Sequence, residues 1–277
     1  MTPKPLAGKT AIVAGGGRGA GRGISLALGD VGATVYVSSR NPQDVERTAA
    51  DVTARGGHGI PVPADLSRQP QVATLFNRVI TEQGRLDVLA ISAWTANFMP
   101  VWSKTFWDLD TSIWDETLDT VSIYWHCSSY AARLMQKQRH GLIVYVTDNL
   151  PDDPSGYRGQ ILHDLGHEAL NRLIHGMSTQ AKHFAVVGLN PGFMRTEAVL
   201  AHMKDEKTKK QFRFDLSESP EYIGRAVAAL AAERNINERN GKLLWVCDLA
   251  GEYGFTDIDG RHIPRFDPHA PMQAYPC

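Results

Sequence analysis

Strand-length apolar runs alternate with longer segments of helical periodicity from residue 10 to residue 246. The strands are predicted over residues 10–14, 34–37, 59–62, 86–91, 142–146, 184–189 and 243–246. The helices are predicted over residues 21–31, 41–55, 71–82, 114–138, 163–182 and 220–233. Because strands that alternate with helices pair in parallel and are covered on both faces, the pattern predicts an α/β fold of three layers with a doubly wound parallel sheet.

Two stretches and the tail lack either periodicity. Residues 95–112 and 192–219 read as irregular, and the segment after Gly254, rich in Asp, His and Pro, reads as loop. Neither a repeat nor a linker interrupts the alternation, so residues 1–277 are expected to form one domain.

Composition excludes several classes of partner. Hydrophobic residues make up 43% of the 277 residues, and 29 basic against 30 acidic side chains give a formal charge of −1. A nearly neutral chain has no field that would recruit nucleic acid or an anionic membrane. Its apolar runs are far shorter than the ~18 residues of a membrane span, so none is expected. Cys127, Cys247 and Cys277 are widely spaced, which favours reduced thiols and a cytoplasmic location.

A glycine-rich turn joins the first predicted strand to the first helix. It reads Ala14-Gly15-Gly16-Gly17-Arg18-Gly19-Ala20-Gly21. Glycine permits a sharp turn and a close approach of backbone to a pyrophosphate, and the free N–H groups of the following helix attract the anion. The motif therefore predicts a Rossmann-type dinucleotide site; the alternative is a glycine-rich surface turn.

The end of the second strand indicates which dinucleotide. It reads Ser38-Ser39-Arg40, without the carboxylate that would bind the ribose hydroxyls of NAD. Arg40 and Arg18 could instead flank a 2′-phosphate with forked hydrogen bonds. The predicted cofactor is NADP, with NAD possible; the alternative is two solvated surface arginines.

The spacing Gly15-x-x-x-Gly19-x-Gly21, the pair Asp65-Leu66 and the segment Pro191-Gly192-Phe193-Met194-Arg195-Thr196 resemble the short-chain dehydrogenase/reductase family. The resemblance implies that Asp65-Leu66 holds the adenine and that the Pro191–Thr196 segment lies against the nicotinamide carboxamide. The cofactor site that it implies, together with the turn, comprises Gly15, Arg18, Gly19, Ala20, Gly21, Ser39, Arg40, Asp65, Leu66, Ala93, Pro191, Gly192, Met194 and Thr196.

Three further segments resemble the subgroup called dehydrogenase/reductase family member 1. They are Lys104-Thr105-Phe106-Trp107, Ala131-Ala132-Arg133-Leu134-Met135 and Cys247-Asp248-Leu249-Ala250. The family resemblance also implies a substrate loop near residues 192–219, and a homodimer or homotetramer paired through the helices at 114–138 and 163–182.

The catalytic positions depart from the family pattern of Asn, Ser, Tyr and a Lys four residues after the Tyr. The strand that should end in Ser reads Thr147-Asp148, and the Tyr-x-x-x-Lys positions read His163-Asp164-Leu165-Gly166-His167. Ser122 stands at the Asn position, and the Asn-Asn-Ala-Gly signature reads Ile91-Ser92-Ala93-Trp94. Tyr157 has Ile161 instead of Lys four residues on, so a loop tyrosine is its simpler interpretation.

His163 and His167 share one helix face, and Asp148 is expected to face them from the end of the fifth strand. Histidine can replace tyrosine as a proton donor near neutral pH, with Asp148 orienting the ring. Two alternatives stay open. One is a family member that kept the fold and cofactor but lost catalysis; the other is a metal site of two histidines and one carboxylate. The hypothesis adopted has no metal and assigns catalysis to Asp148, His163, His167 and Ser122.

Aromatic residues cluster near the expected substrate side: Trp94, Trp102, Phe106, Trp107, Tyr124 and Trp125. Such side chains suit a hydrophobic or planar small molecule, although packing explains any single one of them. The sequence thus predicts an NADP-dependent oxidoreductase acting on a carbonyl or hydroxyl of an apolar small molecule. The alternative is a non-redox or degenerate member that binds NADP and a ligand as a sensor, isomerase or dehydratase.

Overall fold

The protein forms one seven-stranded parallel sheet in the order β3-β2-β1-β4-β5-β6-β7. The computed structural model describes residues 4–96, 98, 101–102, 104–148, 160–211 and 213–266. The strands are β1 Thr10–Ala14, β2 Thr34–Ser39, β3 His58–Pro63, β4 Val88–Ile91, β5 Leu142–Val146, β6 Ala185–Asn190 and β7 Leu243–Trp245. The doubly wound α/β fold predicted from the alternation is confirmed.

Nine α-helices lie in the described part of the chain. They are α1 Gly19–Asp30, α2 Pro42–Ala54, α3 Gln69–Gln83, α4 Thr111–Gln138, α5 Ile161–Ser178, α6 Glu197–His202, α7 Glu206–Gln211, α8 Pro220–Ala232 and α9 Val246–Tyr253. None of the helices described is long and apolar enough to cross a bilayer.

Two hydrophobic cores cover the two faces of the sheet. Ala11 and Val13 of β1 belong to one core, with α1, α2 and α8, whereas Ile12 and Ala14 belong to the other, with α3, α4 and α5. Successive strand residues point to opposite faces, so a strand covered on both sides is apolar throughout. This explains why the strands read as continuous apolar runs.

Three predictions about secondary structure were wrong in detail. Val246 begins helix α9 instead of ending the last strand, because the edge strand β7 is only three residues long. The stretch 192–219 contains α6, α7 and a short 3₁₀ helix. Helix α5 begins at Ile161, before the predicted start at His163, because the Gln160 side chain accepts hydrogen bonds from the amides of Leu162 and His163.

The chain reverses direction across the sheet between β3 and β4. Strand β1 lies between β2 and β4, so the segments leaving β1 and β4 diverge at the carboxyl edge. A crevice at such a reversal point is where open α/β sheets bind ligands. The glycine-rich turn and the loop that follows β4 both lie at this edge.

Candidate functional site

The glycine-rich turn lies directly against the loop that follows β4. Gly15 has φ +86°, and a Cβ at this position would lie 2.6 Å from the Ala93 amide nitrogen. Only glycine satisfies both the backbone angle and this close approach. The predicted cofactor residues Gly15 and Ala93 are therefore in contact.

A second contact joins this turn to the end of β2. A Cβ on Gly17 would lie 2.6 Å from Ser39 Oγ, and the Gly15 and Gly16 amides both donate to the Ser38 carbonyl, at 2.8 and 3.0 Å. The arginines next in sequence, Arg18 and Arg40, are thereby brought to one edge of the sheet. Both are exposed, and neither guanidinium has an ion-pair partner in the described part of the chain.

A carboxylate is hydrogen-bonded to the first backbone amide of α1. Glu197 Oε2 accepts a hydrogen bond of 2.9 Å from the backbone N–H of Gly19. The N-terminus of α1 carries no acidic residue of its own in the first turn, so its amides and dipole are available to an anion from elsewhere. The turn thus binds an oxyanion in this structure, which is the chemistry that a pyrophosphate would require.

Other residues predicted for the cofactor site have structural contacts of their own. The Asp65 carboxylate accepts from the amide and hydroxyl of Ser67 at 3.1 and 2.8 Å, and the Leu66 side chain is buried in the core. Ala20 packs partly buried on α1, and Met194 is buried in the core beside α8. Pro191 is half-buried, and Thr196 caps α6 by accepting from the Val199 amide.

His163 and His167 lie side by side, with ring centroids 4.5 Å apart. The backbone N–H of Asp148 donates to His167 Nδ1 at 2.9 Å, and the Thr147 hydroxyl beside it donates to Asn171 Oδ1 at 2.9 Å. An acceptor nitrogen carries no proton, so this bond places the proton of the neutral His167 ring on Nε2. The prediction had given Asp148 a carboxylate contact; the contact described here is made by its backbone.

The carboxylate beside His163 belongs to the next residue. Asp164 Oδ1 lies 3.2 Å from His163 Nδ1, and both side chains are largely buried. Sequence reasoning missed Asp164, although an acidic residue within the first turn of α5 was visible beside the histidine. Whether the Asp148 side chain faces His163 stays a prediction.

Aromatic rings enclose the histidine pair. Trp94 stacks on His167 with centroids 4.3 Å apart and planes within 14°. Trp102, Phe98 and Trp94 lie 5.0, 5.5 and 5.7 Å from the His163 ring. Phe98 was missed by the sequence analysis, since a single aromatic residue in an irregular stretch gives no signal.

Other predicted aromatic residues lie elsewhere. Tyr124 is buried, its single hydroxyl proton is shared between the carbonyls of Ile91 and Val146 at 3.1 and 3.0 Å, and burial raises its pKa. Phe106 and Trp107 pack on each other and are 63% and 70% exposed. Trp125 lines a groove of about 340 Å³ with residues of α4 and the segment after α5. None of these four rings has a described contact with the histidine pair.

The structure bears on three further predictions, which concern Ser122, Tyr157 and a metal site. Ser122 is half-buried on α4. The described hydrogen bonds between this helix and the loop after β4 involve Thr120, whose Oγ1 accepts from the Thr95 amide at 3.1 Å, and the Glu116 carbonyl, which accepts from the Thr95 hydroxyl. The catalytic role of Ser122 stays a prediction. Tyr157 lies outside the described residues. Within those residues, no group of three metal-ligating side chains is found.

A buried carboxyl group supports the Pro191–Thr196 segment. Glu218 is 1% exposed, its Oε2 accepts from the Gly192 amide at 3.0 Å, and Oε1 has no hydrogen-bond partner among the described residues. Burial, reinforced by the Asp257 carboxylate, raises the pKa of Glu218 to about 8, against the opposing effects of the Gly192 amide and Arg195. Sequence reasoning missed this residue because Ser, Glu and Pro before a helix are normally exposed.

Comparison with known proteins agrees with this architecture. A family profile described as short chain dehydrogenase matches residues 9–207. Dehydrogenase/reductase SDR family member 1 of Mus musculus is 38% identical over 278 residues, covering 95% of this chain and 87% of the mouse protein. The Homo sapiens protein of the same name is 36% identical over 276 residues, with the same two coverages.

A solved structure shows the same fold. It is YwfH, an NADPH-dependent reductase involved in bacilysin biosynthesis, with a TM-score of 0.72 and 25% identity over 86% of this chain and 96% of YwfH. The two mammalian relatives confirm the similarity to the family-member-1 subgroup. The matched profile, the relatives and the sheet order together show that the chain belongs to the short-chain dehydrogenase/reductase family.

Proposed function

We propose that this protein is an NADP-dependent oxidoreductase that reduces a carbonyl, or oxidises the corresponding hydroxyl, of an apolar small molecule, with His163 as the proton donor and acceptor. One chain of contacts carries the proposal. Gly15 of the phosphate turn touches Ala93, and the next residue, Trp94, stacks on His167 beside His163. The glycine-rich turn and the histidine pair are therefore connected through two successive residues of the loop after β4.

The geometry of the glycine-rich turn supports dinucleotide binding independently of the histidine pair. Side chains at Gly15 or Gly17 would fill the space beside the turn, and the Gly19 amide already holds a carboxylate oxygen. The 2′-phosphate of NADP would be held by Arg18 and Arg40, which have no competing carboxylate at the end of β2. Exposed guanidinium groups without an acidic partner favour a phosphate ligand. When bound, the nicotinamide supplies or accepts the hydride.

The proton is moved by His163. Its Nδ1 faces the Asp164 carboxylate, so the imidazolium would hold one proton on Nδ1 against Asp164 and present the other on Nε2 to the substrate oxygen. After transfer, the neutral ring keeps its Nδ1–H on Asp164. In this proposal Asp164 orients the donor, while His167, fixed by the Asp148 amide, sets the position of its neighbour.

The substrate is inferred from the lining. Trp94, Phe98 and Trp102 surround His163, which leaves its side chain 15% exposed. A hydrophobic or aromatic carbonyl compound would replace water at such a surface with favourable burial of apolar area.

The crowding of His163 also favours the second candidate function. A ring so enclosed could act in ligand binding or in a proton transfer without hydride, as in a sensor, isomerase or dehydratase. Turnover of the cofactor separates the two. NADPH labelled with deuterium at C4 is incubated with a panel of apolar ketones and aldehydes, and label on the carbinol carbon of the product alcohol supports the oxidoreductase. If calorimetry shows NADPH binding but no label is transferred, the non-redox function is favoured.

We also propose that the protein self-associates through α4 and α5. Trp114, Leu118 and Trp125, spaced by four and seven residues, share one face of α4 and are exposed, as are Ile161 and Leu165 of α5. Exposed apolar faces of this kind mark interaction surfaces. Sedimentation of the wild type and of L118E would test the proposal, since a homodimer or homotetramer should dissociate in the variant and a monomeric wild type would refute it.

A further inference from the structure

The Glu197 carboxylate stands where the amides of the phosphate turn would meet an anion. Its Oε2 lies 2.9 Å from the Gly19 nitrogen, and Thr196 Cγ2 lies 3.6 Å from the position of a Cβ on Gly19. Gly19 and Glu197 are 178 residues apart in the chain. The contact therefore joins the segment after β6 to the phosphate turn, and it results from tertiary packing because the two residues are not neighbours in the chain.

No cation of the described residues pairs with Glu197. Among the described residues the only hydrogen bond of its side chain is the one to Gly19, and it forms no described ion pair. It belongs to α6, a six-residue helix that is exposed along most of its length and contributes no buried residue to the core. Few buried contacts hold α6 in place, so the position of this carboxylate is set largely by the α1 amide.

We propose that Glu197 is an internal competitor for the phosphate groups of the nucleotide, which holds α6 against the phosphate turn in the free protein and must leave before a dinucleotide binds. The inference rests on the nucleotide binding of the proposed function, not on the redox chemistry. A carboxylate and a phosphate oxygen satisfy the same donor, and two anions at one helix N-terminus repel each other. When the carboxylate is removed, the nucleotide can therefore bind the turn without first displacing Glu197.

Affinity measurements test this directly. Binding of NADPH and of inorganic pyrophosphate is measured by calorimetry for the wild type, E197Q, E197A and the control E238Q. Glu238 is exposed, loses the same charge on substitution and has no described contact with the turn. Both Glu197 variants should bind NADPH about three- to tenfold more tightly than the wild type, where tenfold corresponds to 1.4 kcal/mol. Their affinity for pyrophosphate should rise by a similar factor, whereas E238Q should bind both ligands as the wild type does.

Hydrogen exchange provides a readout without any nucleotide. Amides of residues 197–202 should exchange faster in unliganded E197A than in the wild type, and NADPH should accelerate them in the wild type alone. Unchanged exchange in E197A would show that the contact does not hold α6. Weaker NADPH binding in E197A would show that the carboxylate assists the nucleotide. Either result overturns the proposal.

Failure of this inference is distinguishable from failure of the proposed function. Tighter pyrophosphate and NADPH binding in E197A without label transfer to any carbonyl would refute the redox function and support the competitor. Label transfer with equal affinities in all four proteins would support the redox function and refute the competitor.

Discussion

The backbone N–H of Asp148 donates to Nδ1 of His167 across 2.9 Å, which fixes the acceptor and donor nitrogens of that ring. The bond ties the carboxyl end of β5 to α5, and Trp94 of the loop after β4 stacks on the same His167 ring. A histidine here therefore has a structural role, which any catalytic role must accommodate.

Two substitutions of His167 separate these roles. In H167N the amide oxygen falls near Nδ1 and still accepts from Asp148, whereas in H167Q the acceptor falls near Nε2. We expect H167Q to lose about 1 kcal/mol of unfolding free energy because the half-buried Asp148 amide loses its acceptor, and H167N to lose less. Urea denaturation measures both. A lower kcat in stable H167N would assign chemistry to Nε2, and equal stabilities would show that the Asp148 bond contributes nothing.

His163 should control the rate and its pH dependence. H163F keeps an aromatic ring among Trp94, Phe98 and Trp102 but cannot transfer a proton. We expect label transfer to fall by about 10²–10⁴, the usual contribution of a general acid, with NADPH affinity unchanged. In the wild type, carbonyl reduction should slow as pH rises through neutrality, because the donor must be protonated, and alcohol oxidation should show the reverse. An unchanged profile in H163F would remove this residue from the mechanism.

Cofactor preference should depend on Arg18 and Arg40, the two arginines without an ion-pair partner among the described residues. R40A and R18A should each weaken NADPH binding about tenfold and leave NADH binding nearly unchanged, since an exposed charge-assisted phosphate contact lies at the low end of 1.5–3 kcal/mol. Fluorescence titration with both cofactors measures this preference. R234A is the control, because Arg234 is exposed and has no described partner. Equal wild-type affinities for NADPH and NADH would contradict the assignment.

The contact between Gly17 and Ser39 should be sensitive to a single methyl group. In G17A the new Cβ would lie 2.6 Å from Ser39 Oγ and 3.0 Å from Asp44 Cβ. We expect a loss of about 1–3 kcal/mol in unfolding free energy through overpacking. The double variant G17A/S39G removes the nearer clash and should recover part of the loss in thermal unfolding. No recovery would show that Asp44 or the backbone, and not Ser39, limits the space.

Glu218 should make stability depend on pH. Its pKa is raised to about 8 in the folded protein, so between about pH 5 and pH 8 the folded protein holds a proton that the unfolded chain has lost. The contribution of this group is fully present below the unfolded pKa and is lost as pH rises through the folded pKa. The free energy of unfolding should therefore fall with pH by up to about 1.4 kcal/mol per unit in this window.

The matched variant E218Q is neutral throughout and should flatten this dependence. Chemical denaturation of both proteins between pH 5 and pH 9 measures the difference. Parallel curves would mean that Glu218 titrates normally in solution.

The sequence determined the fold because the signals for it are local. A strand buried on both faces is largely apolar, as Thr10–Ala14 is, and the close approach of the turn to Ala93 requires glycine at position 15. Both signals are visible in the sequence alone. The presence of His163 and His167 four residues apart was equally visible in the sequence, and that they stand in place of the family catalytic residues stays a prediction. Their role in catalysis stays a prediction.

Only the tertiary structure decided which groups meet. The Asp148 amide reaches His167 because the end of β5 lies beside α5, and Glu197 reaches Gly19 because β6 ends and α1 begins at the same edge of the sheet. Backbone donors carry no sequence signature, and a carboxylate 178 residues away gives no pattern in the chain. Burial likewise turned Glu218 from an ordinary acidic residue into a group with a raised pKa, because desolvation is a property of the packed protein and not of the residue.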